Sequence, residues 1–216
     1  MHSIKALIRR TLRYNPYCIP SLLYMAAYCV AFYFLEHYKF TTYHVVDLPI
    51  DHALPFIPIF SVPYLLWFFF VAAVYLYTMG NDRHEFIRFS LYLGIGMSIF
   101  VILSMLYPNI HQLRPNILQD DIFSRLVLWI YSKDTPTNLF PSIHVYNTLA
   151  CMSTVYHCQK LRSKRPVYYG SWVLTVLIVL STMLIKQHSI FDVVIAFILA
   201  AGCHLFLYPE DFHAIR

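Results

Sequence analysis

Three short clusters carry the polar chemistry of this chain: Arg114-Pro115, then Pro141-Ser142-Ile143-His144, then Lys186-Gln187-His188 with Asp192 four residues on. His188 and Asp192 are one helical turn apart and share a face of any helix they occupy. A carboxylate there fixes the tautomer of His188 and leaves its other ring nitrogen free as a nucleophile or base. His144 is then the opposing group; one histidine must be neutral while the other is protonated, a split that environment can impose. Each piece alone has a plainer explanation. A His-x-x-x-Asp pair can be a satisfied core pair, Ser142 a capping hydroxyl, and Lys186 a chain that snorkels to head groups. The chemistry needs a fold that collects all three clusters at one place.

The elements that must do so are apolar. Of 216 residues, 59% are hydrophobic, 18% aromatic and only 12% charged, whereas a soluble domain carries about 25% charged residues. Disorder, a coiled coil and an ordinary cytosolic enzyme are poor fits to that composition. The apolar residues fall in six blocks, at about 20–37, 60–79, 86–107, 140–158, 168–186 and 190–208. Each is near the ~20 residues that a spanning helix needs. The expected fold is therefore all-α: a polytopic membrane protein with six transmembrane helices in a single domain, 1–216. The first helix is expected to pack against a core at about 60–208. Pro55, Pro58 and Pro63 predict a broken or interfacial lead-in to the second block.

Ahead of the first block, at about 1–19, Ile4, Leu7, Ile8 and Leu12 recur at helical spacing between Lys5, Arg9, Arg10 and Arg13. That pattern predicts a basic amphipathic helix lying on an anionic membrane face. No small-residue cleavage site follows a short apolar core, so this segment is expected to remain. Cys18, Cys29, Cys151, Cys158 and Cys203 fall within or beside blocks without C-x-x-C spacing, and are expected to be apolar packing residues.

Charge sets the orientation. With six spans, the side shared by both termini holds 11 of the 16 basic residues and a net charge of +7, against −2 opposite. The positive-inside rule places both termini in the cytoplasm. Basicity here reports topology and gives no argument for nucleic acid. Arg114, His144 and His188 then lie on the extracytoplasmic side. The fourth and sixth helices both direct their N-termini there, each with about half a positive charge and unpaired N–H groups. Pro141 suits a first helical turn. Two such ends beside Arg114 make a cavity for a phosphate-sized anion.

These residues resemble the motifs of the type 2 phosphatidic acid phosphatase superfamily, integral-membrane relatives of the vanadium haloperoxidases. The family pattern is K-x6-R-P, then P-S-G-H, then S-R-x5-H-x3-D, on six helices. Arg114, Ser142, His144, His188 and Asp192 match it, over a resemblance covering roughly 60–208. Tyr107 stands at the lysine position, Ile143 at the glycine and Thr182 at the arginine. Two phosphate-binding cations are thus missing; Lys186 could supply one charge and Lys133 another, without arginine's fork.

The resemblance implies a lipid phosphatase acting on a phosphomonoester or pyrophosphate. His188 would be the nucleophile, Asp192 would orient it, and His144 would be the acid and base. Arg114, Ser142, Lys186 and the backbone N–H of Ile143 would hold the phosphoryl oxygens, with no cofactor and no metal. The loosened pattern is also similar to the sphingomyelin and phosphorylceramide synthase branch, which would transfer the head group to a lipid alcohol. For that reading the outer segment 38–58, with His44, Asp47, Asp51 and His52, could shape an acceptor pocket; a solvated loop is the plainer reading of those residues.

A third reading makes His144, His188 and Asp192 a metal triad or part of a transport path, but Arg114 and Lys186 beside a divalent cation argue against the first, and no broken, symmetry-related helix pair suggests the second. Asp120 and Asp121 read as a solvated loop. His37, His84, His111, His157, His204 and His213 read as interfacial or core residues without partners. The partners expected are a lipid phosphate substrate and membrane lipids. Small size and the family's habit point to a bacterial cytoplasmic membrane.

Overall fold

The helix that carries His144 is the shortest of the expected spans, and it lies at the centre. The computed structural model describes residues 11, 14–117 and 120–214. In chain order these form α1 (Cys18–His37), β1 (His44–Val45), α2 (Pro49–Ala53), a 3-10 turn (Pro58–Phe60), α3 (Ser61–Asn81) and α4 (Arg83–Leu106). There follow β2 (Asn109–Ile110), α5 (Ile122–Lys133), α6 (Ile143–His157), α7 (Gln159–Arg162), α8 (Arg165–Leu184), α9 (Ile190–Leu207) and α10 (Pro209–Ala214). The expected N-terminal amphipathic helix falls almost wholly outside the described residues.

Among the described residues five helices, not six, are long and apolar enough to cross a membrane: α1, α3 with its preceding turn, α4, α8 and α9. Each begins and ends within three residues of the block that predicted it. The remaining block, 140–158, yields only the 15 residues of α6. At 1.5 Å per residue that is about 22 Å, short of a ~30 Å hydrocarbon core. The physical reason is its surroundings. α6 packs against α3, α4, α8 and α9, so its faces meet protein rather than lipid. Asn147, Thr148 and Thr154 can therefore be buried on it.

The outer helices show the reverse pattern. Of α1 only Cys18 and Leu35 are buried, while Leu22, Leu23, Val30 and Phe34 face outward. So much exposed apolar surface would be anomalous in water and fits an integral membrane protein. Polar groups join the helices where they touch. Ser21 Oγ donates to Ser90 Oγ (3.0 Å), and Tyr24 Oη donates to the Gly94 carbonyl (2.8 Å), holding α1 along α4.

α4 approaches α6 closely at one glycine. A Cβ on Gly96 would sit 2.0 Å from the Tyr146 ring. That ring is fully buried, and its hydroxyl donates to the Tyr92 carbonyl at 2.9 Å. It has no free end to swing away. Gly96→Ala is expected to destabilise the protein by about 3 kcal/mol, the upper part of the range for overpacking. A lowered Tm in detergent checks this, and an unchanged Tm would contradict the packing described.

The connection 107–142 is less open than expected. Asp121, read as solvated loop, caps α5: its carboxylate accepts from Phe123 N (2.9 Å) and Ser124 N (3.2 Å). α5 buries Ser124, Val127 and Ile130 at helical spacing. Asp120 does stay exposed, in an ion pair with Arg125 at 2.7 Å. A two-residue parallel ladder pairs His44 with Asn109 and Val45 with Ile110, tying the loop after α1 to the loop after α4. The prolines before α3 form the expected lead-in, a 3-10 turn at Pro58–Phe60 that runs into the helix. All five cysteines are free, and all but Cys29 are buried.

Candidate active site

The site forms where the N-termini of α6 and α9 meet. Ser142 caps α6, its hydroxyl accepting from Val145 N at 3.4 Å. Pro141 therefore stands one residue before the cap rather than in the first turn, following a cis peptide bond from Phe140. Ser142 N donates to the Asp192 carbonyl at 3.3 Å, which joins the two helix ends directly. Ser189 caps α9 in a reciprocal capping box with Asp192, whose Oδ2 accepts from Ser189 N at 3.0 Å. Asp192 thus fixes a helix start as well as facing His188.

His188 Nδ1 stands 3.4 Å from Asp192 Oδ2, and both residues are buried. His188 Nδ1 and Asp192 Oδ1 have no other hydrogen-bond partner. A small closing movement completes the pair, as catalytic contacts often tighten only with substrate bound. The backbone of His188 is held firmly: the Thr182 carbonyl accepts from Gln187 N (3.0 Å) and His188 N (2.9 Å). Thr182, at the family's arginine position, therefore acts through its main chain.

His144 faces His188 with ring centroids 5.7 Å apart. It is wedged between Tyr64 (4.3 Å) and Trp67 (4.4 Å). Its Nδ1 is 3.5 Å from Tyr64 Oη, and its Nε2 has no partner. Tyr64 Oη in turn donates to Asp134 Oδ2 at 2.5 Å, and Gln187 Nε2 donates to the same oxygen at 2.8 Å. Tyr64, Gln187 and Asp134 were not apparent as site residues from the sequence. Gln187 adjoins His188, but Tyr64 and Asp134 come from distant elements and bear no motif.

Arg114 sits behind this group. Its Nη2 donates to Gln187 Oε1 at 2.6 Å and to the Asp134 carbonyl, and its Nη1 donates to the Tyr131 carbonyl at 3.2 Å. The guanidinium lies 4.2 Å over the Tyr131 ring, and only Nε lacks a partner. Burial lowers the pKa of Arg114. A phosphoryl group would bind it by exchanging for Gln187 or for these carbonyls.

Lys186, expected to hold phosphate, is engaged elsewhere. Its residue adopts a left-handed conformation, φ 57°. Its ammonium donates to the carbonyls of Asp51 (2.6 Å) and Leu54 (2.7 Å). The cation that does line the cavity is Lys133, at the end of α5. Asp51 is a correction of the same kind. Read as loop, it is 1% exposed. Its carboxylate accepts from Leu48 N (2.7 Å), Ser189 Oγ (2.6 Å) and Ile190 N (2.8 Å).

His111 also has partners that the sequence did not reveal. Leu113 N donates to its Nδ1 (3.2 Å), so Nε2 carries the proton and donates to the Gln187 carbonyl (3.0 Å). Burial lowers its pKa to about 4 from an ordinary 6.5. Between those values the unfolded chain takes up a proton that the folded one refuses, so stability falls with falling pH. The expected result is a Tm that declines from pH 6.5 toward pH 4, with part of that slope absent in His111→Gln. Equal slopes in the two proteins would refute the assignment.

His144, His188, Asp134 and Ile143 line the polar end of one cavity of about 670 Å³. Glu36, Lys133, Asn138 and Asn147 also line it, and most of the remaining wall is apolar, with Met25, Phe32, Phe68, Val71 and Phe100 contributed by α1, α3 and α4. An apolar slot ending in a few convergent polar groups suits a lipid whose head group meets the histidines. Ile143 and His144 both line the cavity, and their first-turn N–H groups offer donors without an intrahelical acceptor.

Searches of curated proteins and of solved structures each returned no significant match. A family model, described as PAP2 superfamily, matches residues 88–214, more than half of the chain and all three motif clusters. The chain therefore belongs to the PAP2 superfamily and is a membrane protein of the phosphatase or phosphotransferase kind, acting on phosphoric esters.

Proposed function

We propose that this protein hydrolyses a lipid phosphomonoester or pyrophosphate through a phosphohistidine on His188, at the extracytoplasmic face of the membrane. The observation that carries the reading is the pair of histidines facing each other, 5.7 Å apart, at the polar end of an apolar cavity. Asp192 holds the proton on His188 Nδ1, and the other ring nitrogen attacks phosphorus. The phosphorus–oxygen bond to the lipid breaks, and His144 gives its proton to the departing oxygen. His144, now neutral, takes a proton from water, which attacks the phosphohistidine. Phosphate leaves and His188 is restored.

Fixed positive charge and positioning supply most of the acceleration in such phosphoryl transfers. Ser142 and the N-terminal N–H groups of α6 hold the phosphoryl oxygens, with Lys133 at the rim and Arg114 once it exchanges its partners. Lys186 keeps α2 and Leu54 against the turn that bears His188. No step requires a metal or a cofactor. With α6 counted as a crossing beside the five longer helices, the charge bias of the sequence supports both termini in the cytoplasm and the histidines outside.

Transfer to a lipid alcohol is the second reading, and one observation favours it. Glu36 and Asp134 both line the cavity that His144 lines. Two carboxylates there are a poor setting for a free phosphate dianion and a fair one for accepting an alcohol's proton. Purified protein with chelator is assayed for phosphate released from phosphatidic acid and from a polyprenyl pyrophosphate, with and without added diacylglycerol or ceramide. Phosphate release without acceptor supports hydrolysis. A new phospholipid formed only with acceptor supports transfer, and full activity in His188→Ala would sink both.

A further inference from the structure

A second polar cluster lies at the far end of α6. His157 ends that helix, 13 residues from His144, which at 1.5 Å per residue is about 20 Å away. His204 of α9 and Asp211 of α10 meet it there. His157 Nε2 and His204 Nε2 are each 3.0 Å from the same oxygen, Asp211 Oδ2.

The tautomers make this arrangement informative. His157 Nδ1 is 2.8 Å from the Ser153 carbonyl, which can only accept, so Nδ1 carries the proton. In a neutral ring Nε2 then presents a lone pair to a carboxylate oxygen, and the contact is repulsive. His204 can avoid the same conflict, because its Nδ1 faces the Ser153 hydroxyl at 2.7 Å and either atom can donate. One lone-pair contact remains whichever way Ser153 turns. A cation between the three groups removes it.

We propose that His157, His204 and Asp211 form a binding site for a divalent transition metal ion of the zinc, cobalt or nickel class. Their three donor atoms lie within 4.8 Å of one another, and ligands on a tetrahedral zinc with bonds of ~2.0–2.1 Å are about 3.4 Å apart. A ring N–H given to a backbone carbonyl is the usual outer support of a metal-bound histidine, and His157 has it. Two imidazoles and one carboxylate match the borderline preference of these ions. The surroundings favour a cation: Glu85, Glu210 and Asp211 stand against Arg88, which pairs with Glu210 at 2.7 Å and with Glu85 at 3.4 Å. Tyr208 stacks on His157 at 3.8 Å and donates to Glu85 at 2.9 Å, fixing the ring. The side chains are 11%, 28% and 33% exposed, so an ion and a completing water can reach the site. Bound metal ties α6, α9 and α10 together at the end remote from the chemistry.

The test uses the full chain in detergent, stripped with chelator, dialysed, and titrated with Co2+ followed by its visible absorption, then with Zn2+ in competition. The expected result is one equivalent of Co2+ in the wild type and in His188→Ala, displaced by Zn2+. Asp211→Asn and His204→Gln should each bind at least about tenfold more weakly. Both variants should keep wild-type phosphoester turnover, which shows that they fold. Zn2+ should raise the Tm of the wild type and leave that of the variants unmoved. Less than a stoichiometric amount in the wild type, or equal binding in Asp211→Asn, overturns the proposal; in the first case a proton alone resolves the His157 contact. Loss of binding in His188→Ala also overturns it, since the ion would then belong to the other histidine pair.

Discussion

His188→Ala should lower phosphate release by about ten-thousandfold or more, the scale seen when a covalent nucleophile is removed. The expectation rests on His188 being the one ring at the cavity's polar end with a carboxylate behind it, Asp192 at 3.4 Å. The fold should survive the change. His188 is held through its main chain by the Thr182 carbonyl, and alanine keeps that hydrogen bond. A wild-type Tm with turnover lost is therefore the signature. Asp192→Asn should behave differently, because asparagine can still accept from Ser189 N in the capping box. It leaves the helix start intact but no longer favours the proton on His188 Nδ1, and turnover should fall by about a hundredfold to ten-thousandfold. A variant of His188 that retained even a tenth of the activity would remove the nucleophile from the account.

Asp51→Ala is expected to give the largest loss of stability, about 4 kcal/mol, as a lowered Tm and lowered activity at temperatures where the wild type is folded. The carboxylate accepts three hydrogen bonds in a fully buried place, from Leu48 N, Ser189 Oγ and Ile190 N. Each donor left without a partner costs about 1–3 kcal/mol. Two of the three belong to the start of α9, the helix that presents Asp192. Asp51→Asn keeps one acceptor oxygen and should lose about half as much. The neighbouring clamp, Lys186 on the carbonyls of Asp51 and Leu54, should be sensitive to Lys186→Met for the same reason. If Lys186→Met changed the Michaelis constant for lipid phosphate with no change in Tm, its ammonium would belong to the phosphate site after all.

The parts of the site that could be read in the sequence are those whose geometry is local. Ser142 precedes the helix that it caps, and His188 with Asp192 is a one-turn pair. The surroundings of Lys186 are not legible because tertiary structure sets them: a left-handed backbone turns it toward α2, a short helix that no apolar block announces. Asp134 and Tyr64 escaped notice because they come from α3 and the end of α5 and meet only in space. That α6 is short and packed on all sides by protein is not legible in hydropathy, which does not distinguish a helix in lipid from one surrounded by helices. Its buried Asn147, Thr148 and Thr154 were the available sign. The His157 cluster was invisible for the reason that hid Asp134, as its three members come from three elements.

The central claim is a covalent phosphohistidine, and a rapid acid-free quench tests it most directly. Purified protein with chelator is mixed with phosphatidic acid carrying a radiolabelled phosphate, stopped within the first turnover, digested, and the label located by mass spectrometry. The account predicts an acid-labile label on the peptide containing His188, present in the wild type, prolonged in His144→Ala and absent in His188→Ala. Phosphate released by the wild type with no label on His188 at any time, or a label on another residue, would contradict it.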